Sequence, residues 1–307
     1  MEHRLPPRAA SRFPVCLIAP ASRCKSRSHG DRWPHNRERL CSTMPELAEV
    51  EWYRKQWNAG LGKKIVDVRL HARKRVFRGT NTRELREKSI GEKLLSSSAR
   101  GKRMLFELSG DNWLGIHLGM TGKTHIAAAD FRPNKHDHLV LYQPERALVF
   151  TDSRQFGRVR FHHGRKEPHW WNTAIPEIVS PEFNRKFLDQ FLDRHRKALI
   201  KAVLLLQGGF SGIGNWMADE ILWRAKIPPS KRTEKLSARE RAAIFRAAKF
   251  VVRKSLDTLG KDFSDPPENW LIHQKWKRDG ICPRHRTPLC HATIGGRTTA
   301  WCPRCQK

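Results

Sequence analysis

The chain has 307 residues, which is enough for two or three small domains with hydrophobic cores. Its 60 lysines and arginines against 30 acidic residues give a formal net charge of +30, which favours a polyanionic partner such as nucleic acid. No apolar run approaches the length of a membrane span, so the composition argues against an integral membrane protein and predicts no membrane partner.

The first 43 residues are rich in Arg, Pro and Ser and lack hydrophobic periodicity, which predicts a disordered extension. The next stretch, "TMPELAEVE" at 43–51, has an internal methionine followed directly by a proline, as the start of a protein would. A helical pattern begins at Leu47 and is stopped by Gly60 and Gly62. The apolar residues on one face of that helix are Leu47, Val50, Tyr53 and Trp57.

Short β-like runs with turn residues between them follow the helix, and their spacing predicts an antiparallel sandwich. The runs lie at 64–70, 103–108, 113–118, 138–143, 147–150 and 158–161. They define a predicted N-terminal domain of residues 44–165, in which helices flank the sandwich.

A proline-rich, aperiodic stretch at 166–180 is interpreted as an interdomain linker. Four helical patterns then predict a helical domain over residues 181–268. The patterns lie at about 181–195, 198–206, 216–226 and 237–260. With a small cysteine-bearing tail at 269–307, the predicted fold class is α+β.

Four of the seven cysteines lie in the last 26 residues, where a metal site is more plausible than a disulfide framework. The spacing is Cys282-x2-His285, sixteen residues, and then Cys302-x2-Cys305. Two close pairs separated by a short hairpin match what a tetrahedral Zn²⁺ needs. We therefore expect one structural zinc ion on a Cys₃His site, with Cys290 as the spare thiol.

The stretch "QGGFSGIGNWMADEIL" at 207–222 places four glycines between two helical patterns, with Asn215 at the expected N-cap. Taken alone, this is a turn with a good cap. In a chain this basic, a helix N-terminus approached closely by a phosphate is the favoured interpretation.

Several stretches together resemble the formamidopyrimidine-DNA glycosylase family of base-excision repair enzymes. They are "MPELAEVE", "ARGKRMLFEL", "HLGMTG", "KHDHLVLY…FTDSRQFGRVRF", "GIGNWMADEIL" and "CPRH…RTTAWCPRCQK". The resemblance covers residues 44–307 in the family's order. It implies a β-sandwich, a helix–two-turn–helix domain and a C-terminal β-hairpin zinc finger, with damaged double-stranded DNA as the partner.

The resemblance also implies that Pro45 becomes the N-terminal residue and acts as the nucleophile. A free α-amine can form a Schiff base with a sugar carbon, whereas an amide nitrogen cannot. An α-amine also titrates near pH 8, against about 10.4 for lysine, so far more of it is neutral at pH 7. We therefore expect translation to start at Met44, with processing of residues 1–43 as the second explanation and a genuine extension with lost activity as the third.

The same resemblance assigns roles to two charged residues near Pro45. Glu46 matches the family's essential acid, although a first-turn carboxylate would also favour the helix dipole. Lys102 matches a strand lysine that contacts phosphate beside the lesion and assists base release. Without the resemblance, it would be interpreted as a solvated surface lysine.

The remaining assigned residues would hold DNA. Met120, Arg154 and Phe156 match the trio that fills the space left by an extruded nucleotide, although the chain reads "DSRQFG" where the family has "DPRRFG". Lys201, Asn215 and Arg297 align with residues that grip phosphates.

Three functions stay open on the sequence. The first is a bifunctional glycosylase and abasic-site lyase for oxidised purines, with the oxidised-pyrimidine branch, similar to endonuclease VIII, as its alternative. The second is a DNA-binding homologue without catalysis, and the third a zinc-ribbon RNA binder, which would not explain "MPELAEVE". We expect a monomer in the cytoplasm, associated with the nucleoid.

Overall fold

The computed structural model describes residues 44–172 and 175–307, and the predicted extension at 1–43 lies outside them. The N-terminal part begins with helix α1 (Leu47–Gln56), continued by a 3₁₀ turn (Trp57–Gly60), and contains one further helix and eight strands among the described residues. These are β1 (Asp67–Leu70), α2 (Thr82–Ser89), β2 (Leu94–Arg100), β3 (Arg103–Leu108), β4 (Asn112–His117), β5 (Lys123–Ala128), β6 (Asp137–Gln143), β7 (Arg146–Thr151) and β8 (Arg158–His163).

The eight strands form two antiparallel four-stranded sheets, in the orders β1-β6-β7-β5 and β2-β3-β4-β8. Apolar side chains of both sheets meet in one core, in which Phe106, Ile116 and Phe150 are fully or almost fully buried. The predicted antiparallel sandwich is confirmed, and each of the six predicted runs contains a strand. Strands β2 and β5 and helix α2 were not predicted.

Helix α1 contributes to two hydrophobic cores. Leu47 and Ala48 pack in the core of the helical part, whereas Val50, Tyr53 and Trp57 pack in the sandwich core. The single apolar face predicted for this helix is therefore shared between the two halves of the chain, which fixes the start of α1 against both.

The helical part comprises α3 (Arg185–Arg194), α4 (Ile200–Leu204), α5 (Asn215–Ala225), α6 (Ala238–Asp257) and α7 (Leu259–Asp262). Helix α6 starts with a capping box, in which Ser237 and Glu240 each satisfy the other's backbone N–H. The helix predicted at 237–260 ends at Asp257, three residues earlier than expected, and α7 follows it.

The C-terminal tail contains α8 (Ile272–Lys275) and an antiparallel hairpin of β9 (Cys290–Ile294) and β10 (Arg297–Trp301). Its small core includes Trp223 of α5, Cys282 and Cys302, so the hairpin is docked on the helical part. None of the helices in the described ranges combines the length and hydropathy that crossing a bilayer would require.

Candidate active site

The side chain of Glu46 lies at the N-terminus of α5, although the two are far apart in the sequence. Its carboxylate accepts hydrogen bonds from the backbone N–H groups of Gly214 at 2.8 Å, Trp216 at 2.8 Å and Met217 at 3.1 Å. The first turn of a helix leaves such N–H groups without partners and carries a partial positive charge. Glu46 therefore caps α5 from another part of the chain.

The predicted N-cap at Asn215 is wrong by one position, because Gly214 occupies the cap and Asn215 is the first helical residue. The cap needs no side chain of its own, since the carboxylate of Glu46 takes that place. A Cβ at residue 214 would overlap the Glu46 carboxyl group. Glycine is required here for close approach.

Two further glycines bring the turn between β2 and β3 against the glycine turn before α5. Gly101 and Gly212 both have positive φ, 59° and 87°, and a Cβ on Gly101 would overlap Ser211. Lys102 follows Gly101 directly, so this contact carries it to the Glu46 side of the fold.

Lys102 and Glu46 interact electrostatically in a mostly buried environment. Burial lowers the pKa of Lys102, while the carboxylates of Glu46 and Glu49 act in the opposite direction. Burial raises the pKa of Glu46, and it is opposed first by the positive charge of Lys102 and then by the three backbone N–H groups. A carboxyl group in this setting can hold a proton nearer to neutral pH than an exposed glutamate can.

Glu49 is a second buried carboxyl group beside the first, and the sequence analysis did not single it out. Its Oε1 accepts a hydrogen bond from Trp216 Nε1 at 3.0 Å, and its Oε2 is buried without a partner in the described residues. Burial, and then the charge of Glu46, raise the pKa of Glu49 to about 7. Its position one turn after Glu46 on an apolar helix face was the available signal.

Pro45 is buried and directly precedes Glu46, outside α1. Its nitrogen therefore lies one residue before Glu46, the carboxylate that interacts with Lys102. In the 307-residue chain that nitrogen belongs to the peptide bond with Met44.

The three residues predicted to fill the DNA helix lie on two adjoining loops. Phe156 is 39% exposed, and the guanidinium of Arg154 stacks on its ring at 4.9 Å. The Met120 loop is joined to this loop through Thr121, whose hydroxyl accepts from Arg154 N at 3.2 Å and donates to Asp152 at 2.6 Å. The structure thus brings the trio to one edge of the sandwich.

Lys201 differs from the expectation of a phosphate-binding residue, because its side chain is fully buried. It forms an ion pair with Asp219, and its Nζ also donates to the Asn215 carbonyl at 2.7 Å. Lys275 pairs with the same carboxylate, which also accepts from Ala300 N at 3.2 Å. Asp219 therefore links α4, α5, α8 and β10.

Arg297 and Asn215 are the two other residues predicted to bind phosphate. Arg297 is exposed at the start of β10, and its charge contributes to lowering the pKa of Lys102, which indicates proximity. Asn215 Nδ2 donates to the Thr298 carbonyl at 2.9 Å, so the hairpin is fixed directly to the start of α5. Glu46, Lys102, Asn215 and Arg297 converge on one region.

The ligand atoms of Cys282, His285, Cys302 and Cys305 all lie within 4.8 Å of one another, and Cys290 is not among them. His285 Nδ1 is 3.8 Å from Cys282 Sγ and 4.0 Å from Cys302 Sγ. Tetrahedral zinc bonds would place sulfur and nitrogen about 3.6 Å apart. Burial and the neighbouring sulfurs raise the pKa of the Cys305 thiol to about 12, so a cation bound beside it would favour its thiolate form. The predicted ligand set could therefore hold a metal ion.

Comparisons with known proteins match most of the described residues. The protein-family model described as "Formamidopyrimidine-DNA glycosylase N-terminal domain" matches residues 44–159. A second family model, described as "Formamidopyrimidine-DNA glycosylase H2TH domain", matches residues 175–265. A formamidopyrimidine-DNA glycosylase from Pelotomaculum thermopropionicum is 34% identical over 282 residues, covering 86% of this chain and 99% of the relative.

Solved structures of the Lactococcus lactis enzyme are also similar. One is its complex with DNA containing an oxidised pyrimidine, with a TM-score of 0.77 at 29% identity, covering 86% of this chain and 100% of that chain. Another is non-covalently bound to DNA containing an abasic site, with a TM-score of 0.74 at 28% identity, covering 85% of this chain and 99% of that chain. With two family models matching residues 44–159 and 175–265 and with near-complete coverage of these relatives, the chain belongs to the formamidopyrimidine-DNA glycosylase family.

Proposed function

We propose that the chain is a bifunctional DNA glycosylase and abasic-site lyase that removes oxidised purines from double-stranded DNA. The observation that carries the proposal is the Glu46 carboxylate, held by three N–H groups at the start of α5 with Lys102 beside it and Pro45 adjacent. Binding alone requires neither a buried acid nor a neighbouring proline, so a DNA-binding homologue without catalysis is disfavoured.

In the proposed mechanism, the free secondary amine of Pro45 attacks C1′ of the damaged nucleotide. The N-glycosidic bond breaks, and the base leaves with the bonding electron pair and takes up a proton. Glu46 protonates the ring oxygen as the sugar opens, which leaves an iminium ion on Pro45. This cation accepts electrons as C2′ loses a proton and the 3′-phosphate leaves, and a second elimination releases the 5′-phosphate.

In the proposed DNA complex, an extruded nucleotide would be replaced in the stack by Met120, Arg154 and Phe156. The exposed Phe156 ring and the Arg154 guanidinium stacked on it offer an apolar wedge and hydrogen-bond donors for the orphaned base. Arg297 would contact phosphate from the hairpin. Lys201 would act indirectly, by holding Asp219 and the Asn215 carbonyl.

The metal site would have a structural role. Zn²⁺ on Cys282, His285, Cys302 and Cys305 would cross-link the hairpin and contribute folding energy, as such ions do in zinc fingers. The hairpin in turn places Arg297 and the Thr298 carbonyl.

Oxidised pyrimidines are the second candidate substrate, because the similar Lactococcus lactis enzyme was solved with DNA that contains one. Release rates on matched duplexes, one with an oxidised purine and one with an oxidised pyrimidine, would separate the two candidates.

The main test is borohydride reduction with abasic-site DNA. Protein begun at Met44, with the methionine removed, should give a covalent adduct that maps to Pro45. The 307-residue chain with residues 1–43 attached is the control and should bind DNA without an adduct. An adduct of equal yield from the intact chain, mapped to a lysine, would reject Pro45 as the nucleophile.

A further inference from the structure

A cationic pocket lies on the sheet β2-β3-β4-β8, on the face turned away from the sandwich core. Its cavity has a volume of about 290 Å³. The side chains that line it include Arg78, Arg103, Arg158, Arg160, His117 and Trp170. None of these residues belongs to the proposed catalytic group, although Phe156 lines the same cavity.

Strand register brings the charged side chains together. Arg103 on β3 pairs with His117 on β4, which pairs with Arg158 on β8, so three side chains stand in a row across the sheet. Arg160 lies two residues further along β8 and therefore on the same face.

Gly115 and Trp170 shape the floor and wall of the pocket. Arg160 pairs with Gly115, where a Cβ would overlap the Trp170 ring. The indole lies against the bare glycine backbone, and the Arg160 guanidinium stacks on it at 5.2 Å from the ring centroid. Trp170 also receives a hydrogen bond on its carbonyl from Arg103 at 2.6 Å. The pocket is therefore built from fixed side chains.

The positive charge of this pocket is not balanced by nearby carboxylates. Within residues 44–172 and 175–307, no ion pair involves Arg78, Arg158 or Arg160. In the same described ranges, Arg158 Nε is buried without a hydrogen-bond partner. The carboxylate of Asp152 acts on Arg78, but it is buried and accepts hydrogen bonds from the Thr121 hydroxyl and from Gly157 N.

The positive charges of the pocket lower one another's pKa values, which an anion bound among them would oppose. Burial and then the neighbouring arginines lower the pKa of both Arg78 and Arg160. Burial and four nearby cations lower the pKa of His117 to about 4, so its ring is neutral at pH 7. Since Gly119 N donates to His117 Nδ1 at 3.0 Å, the ring proton is on Nε2 and is available to an acceptor.

We propose that this pocket binds a phosphate group of a nucleic acid strand, as an anion site lined by side chains other than Glu46, Lys102 and Arg297. Guanidinium groups match the geometry of phosphate oxygens, and several of them suit a tetrahedral anion better than a single carboxylate. Phe156 connects the cavity to the edge predicted to meet DNA. The proposal rests on the proposed function only in taking DNA as the source of the phosphate.

The first experiment uses inorganic phosphate and the 307-residue chain. Phosphate affinity by calorimetry should fall at least tenfold in Arg158→Gln and in Arg160→Gln. The matched control is Arg83→Gln on α2, an exposed arginine paired with Glu87, and its affinity should equal that of the parent. Equal phosphate affinity in all four proteins would overturn the proposal.

Thermal unfolding separates a ligand site from a structural role. Without phosphate, Arg158→Gln should melt at the same temperature as the parent or higher, because one of several repelling charges is removed. Phosphate should then raise the melting temperature of the parent and of Arg83→Gln but not of Arg158→Gln. A lower melting temperature with an unchanged phosphate response would show that the arginine is structural and reject the site.

DNA titrations identify the source of the phosphate. On an intact duplex, Arg158→Gln should reduce the slope of log K against log salt by about one, the value for one lost phosphate contact. A change seen only on a nicked duplex with a 5′-phosphate would support the site with a strand end as its ligand. No change on either duplex would reject it.

Failure of the proposed function would look different. If the protein begun at Met44 gives no borohydride adduct while the phosphate results hold, the lyase proposal fails and the pocket remains. If adducts form at Pro45 and phosphate affinity is the same in Arg158→Gln, Arg160→Gln and the parent, only the pocket proposal fails.

Discussion

Burial and the neighbouring carboxylate of Glu46 both raise the pKa of Glu49. Its pKa in the folded chain is about 7, well above the ordinary value of 4.5. Between these values the folded state holds a proton that the unfolded state has lost. The stability contribution of Glu49 is therefore full below about pH 4.5 and is lost as pH rises through about 7.

We expect Glu49→Gln to remove this decline. Relative to the parent, the free energy of unfolding of the variant should gain on the order of 3 kcal/mol between pH 4.5 and 8, as measured by urea denaturation at each pH. Glu268→Gln, at an exposed position, is the control and should follow the parent. Parallel curves for Glu49→Gln and the parent would mean that Glu49 titrates normally.

Lys201 and Arg297 are the two basic residues predicted to bind phosphate, but they differ in their exposure to solvent. Lys201 is buried against Asp219, whereas Arg297 is exposed. Lys201→Met should lower the free energy of unfolding by at most about 3 kcal/mol, since Lys275 still pairs with Asp219. Arg297→Ala should leave stability unchanged and reduce the salt slope of DNA binding by about one.

The measurements are chemical denaturation and fluorescence anisotropy with labelled duplex at several salt concentrations. A Lys201→Met protein of normal stability but with a reduced salt slope would show that Lys201 leaves Asp219 to contact phosphate in the complex.

Among the structural elements, the start of α5 depends on one glycine. A Cβ at Gly214 would overlap the Glu46 carboxyl, whereas a Cβ at Gly208, in the same glycine turn, would meet nothing closer than 4.0 Å. A displacement of about 1 Å at a reacting group can reduce turnover about 10²-fold. We therefore expect Gly214→Ala to lose about this factor in single-turnover base release, and Gly208→Ala to keep parental activity. Equal activities would show that Glu46 does not need its position at the helix.

The sequence predicted those elements whose signal is local. Strands β3 and β6 are apolar runs, and α6 has its capping box. Strand β2 was missed because "LLSSSAR" is polar and half exposed, and its pairing with β3 is a tertiary effect.

Parts of the site were beyond sequence reasoning for the same reason. The cap of α5 comes from Glu46, 168 residues before Gly214, and no local pattern reports it. Lys201 was predicted to bind phosphate from the family resemblance, and its ion pair with Asp219, 18 residues later, has no signal in the spacing. By contrast, the four residues that could hold a metal ion were predictable from two short spacings alone.

For the molecule as a whole, the proposed metal site lies beside the hairpin that carries Arg297. Chelation or His285→Ala should weaken DNA binding at least tenfold, because Arg297 and the Thr298 carbonyl lose their support. The sandwich, with its own core, should keep its circular dichroism signal. Cys290→Ser is the control and should retain one metal ion per chain by elemental analysis. Metal loss in Cys290→Ser but not in His285→Ala would mean that the ligand set is wrong.

The long-range cap of α5 also has a consequence for the order of events during synthesis. A ribosome delivers Pro45 and Glu46 early, but the three amides that hold the Glu46 carboxylate lie 168 to 171 residues later. Domains generally fold from the N-terminus as they emerge. A nascent chain can thus complete its sandwich while the Glu46 carboxylate still lacks its partners, which are not available until translation has passed Met217. A fragment that ends before Gly214 would lack these three partners permanently. Truncated products of interrupted synthesis would therefore carry Pro45 and Glu46 without the hydrogen bonds that hold the carboxylate.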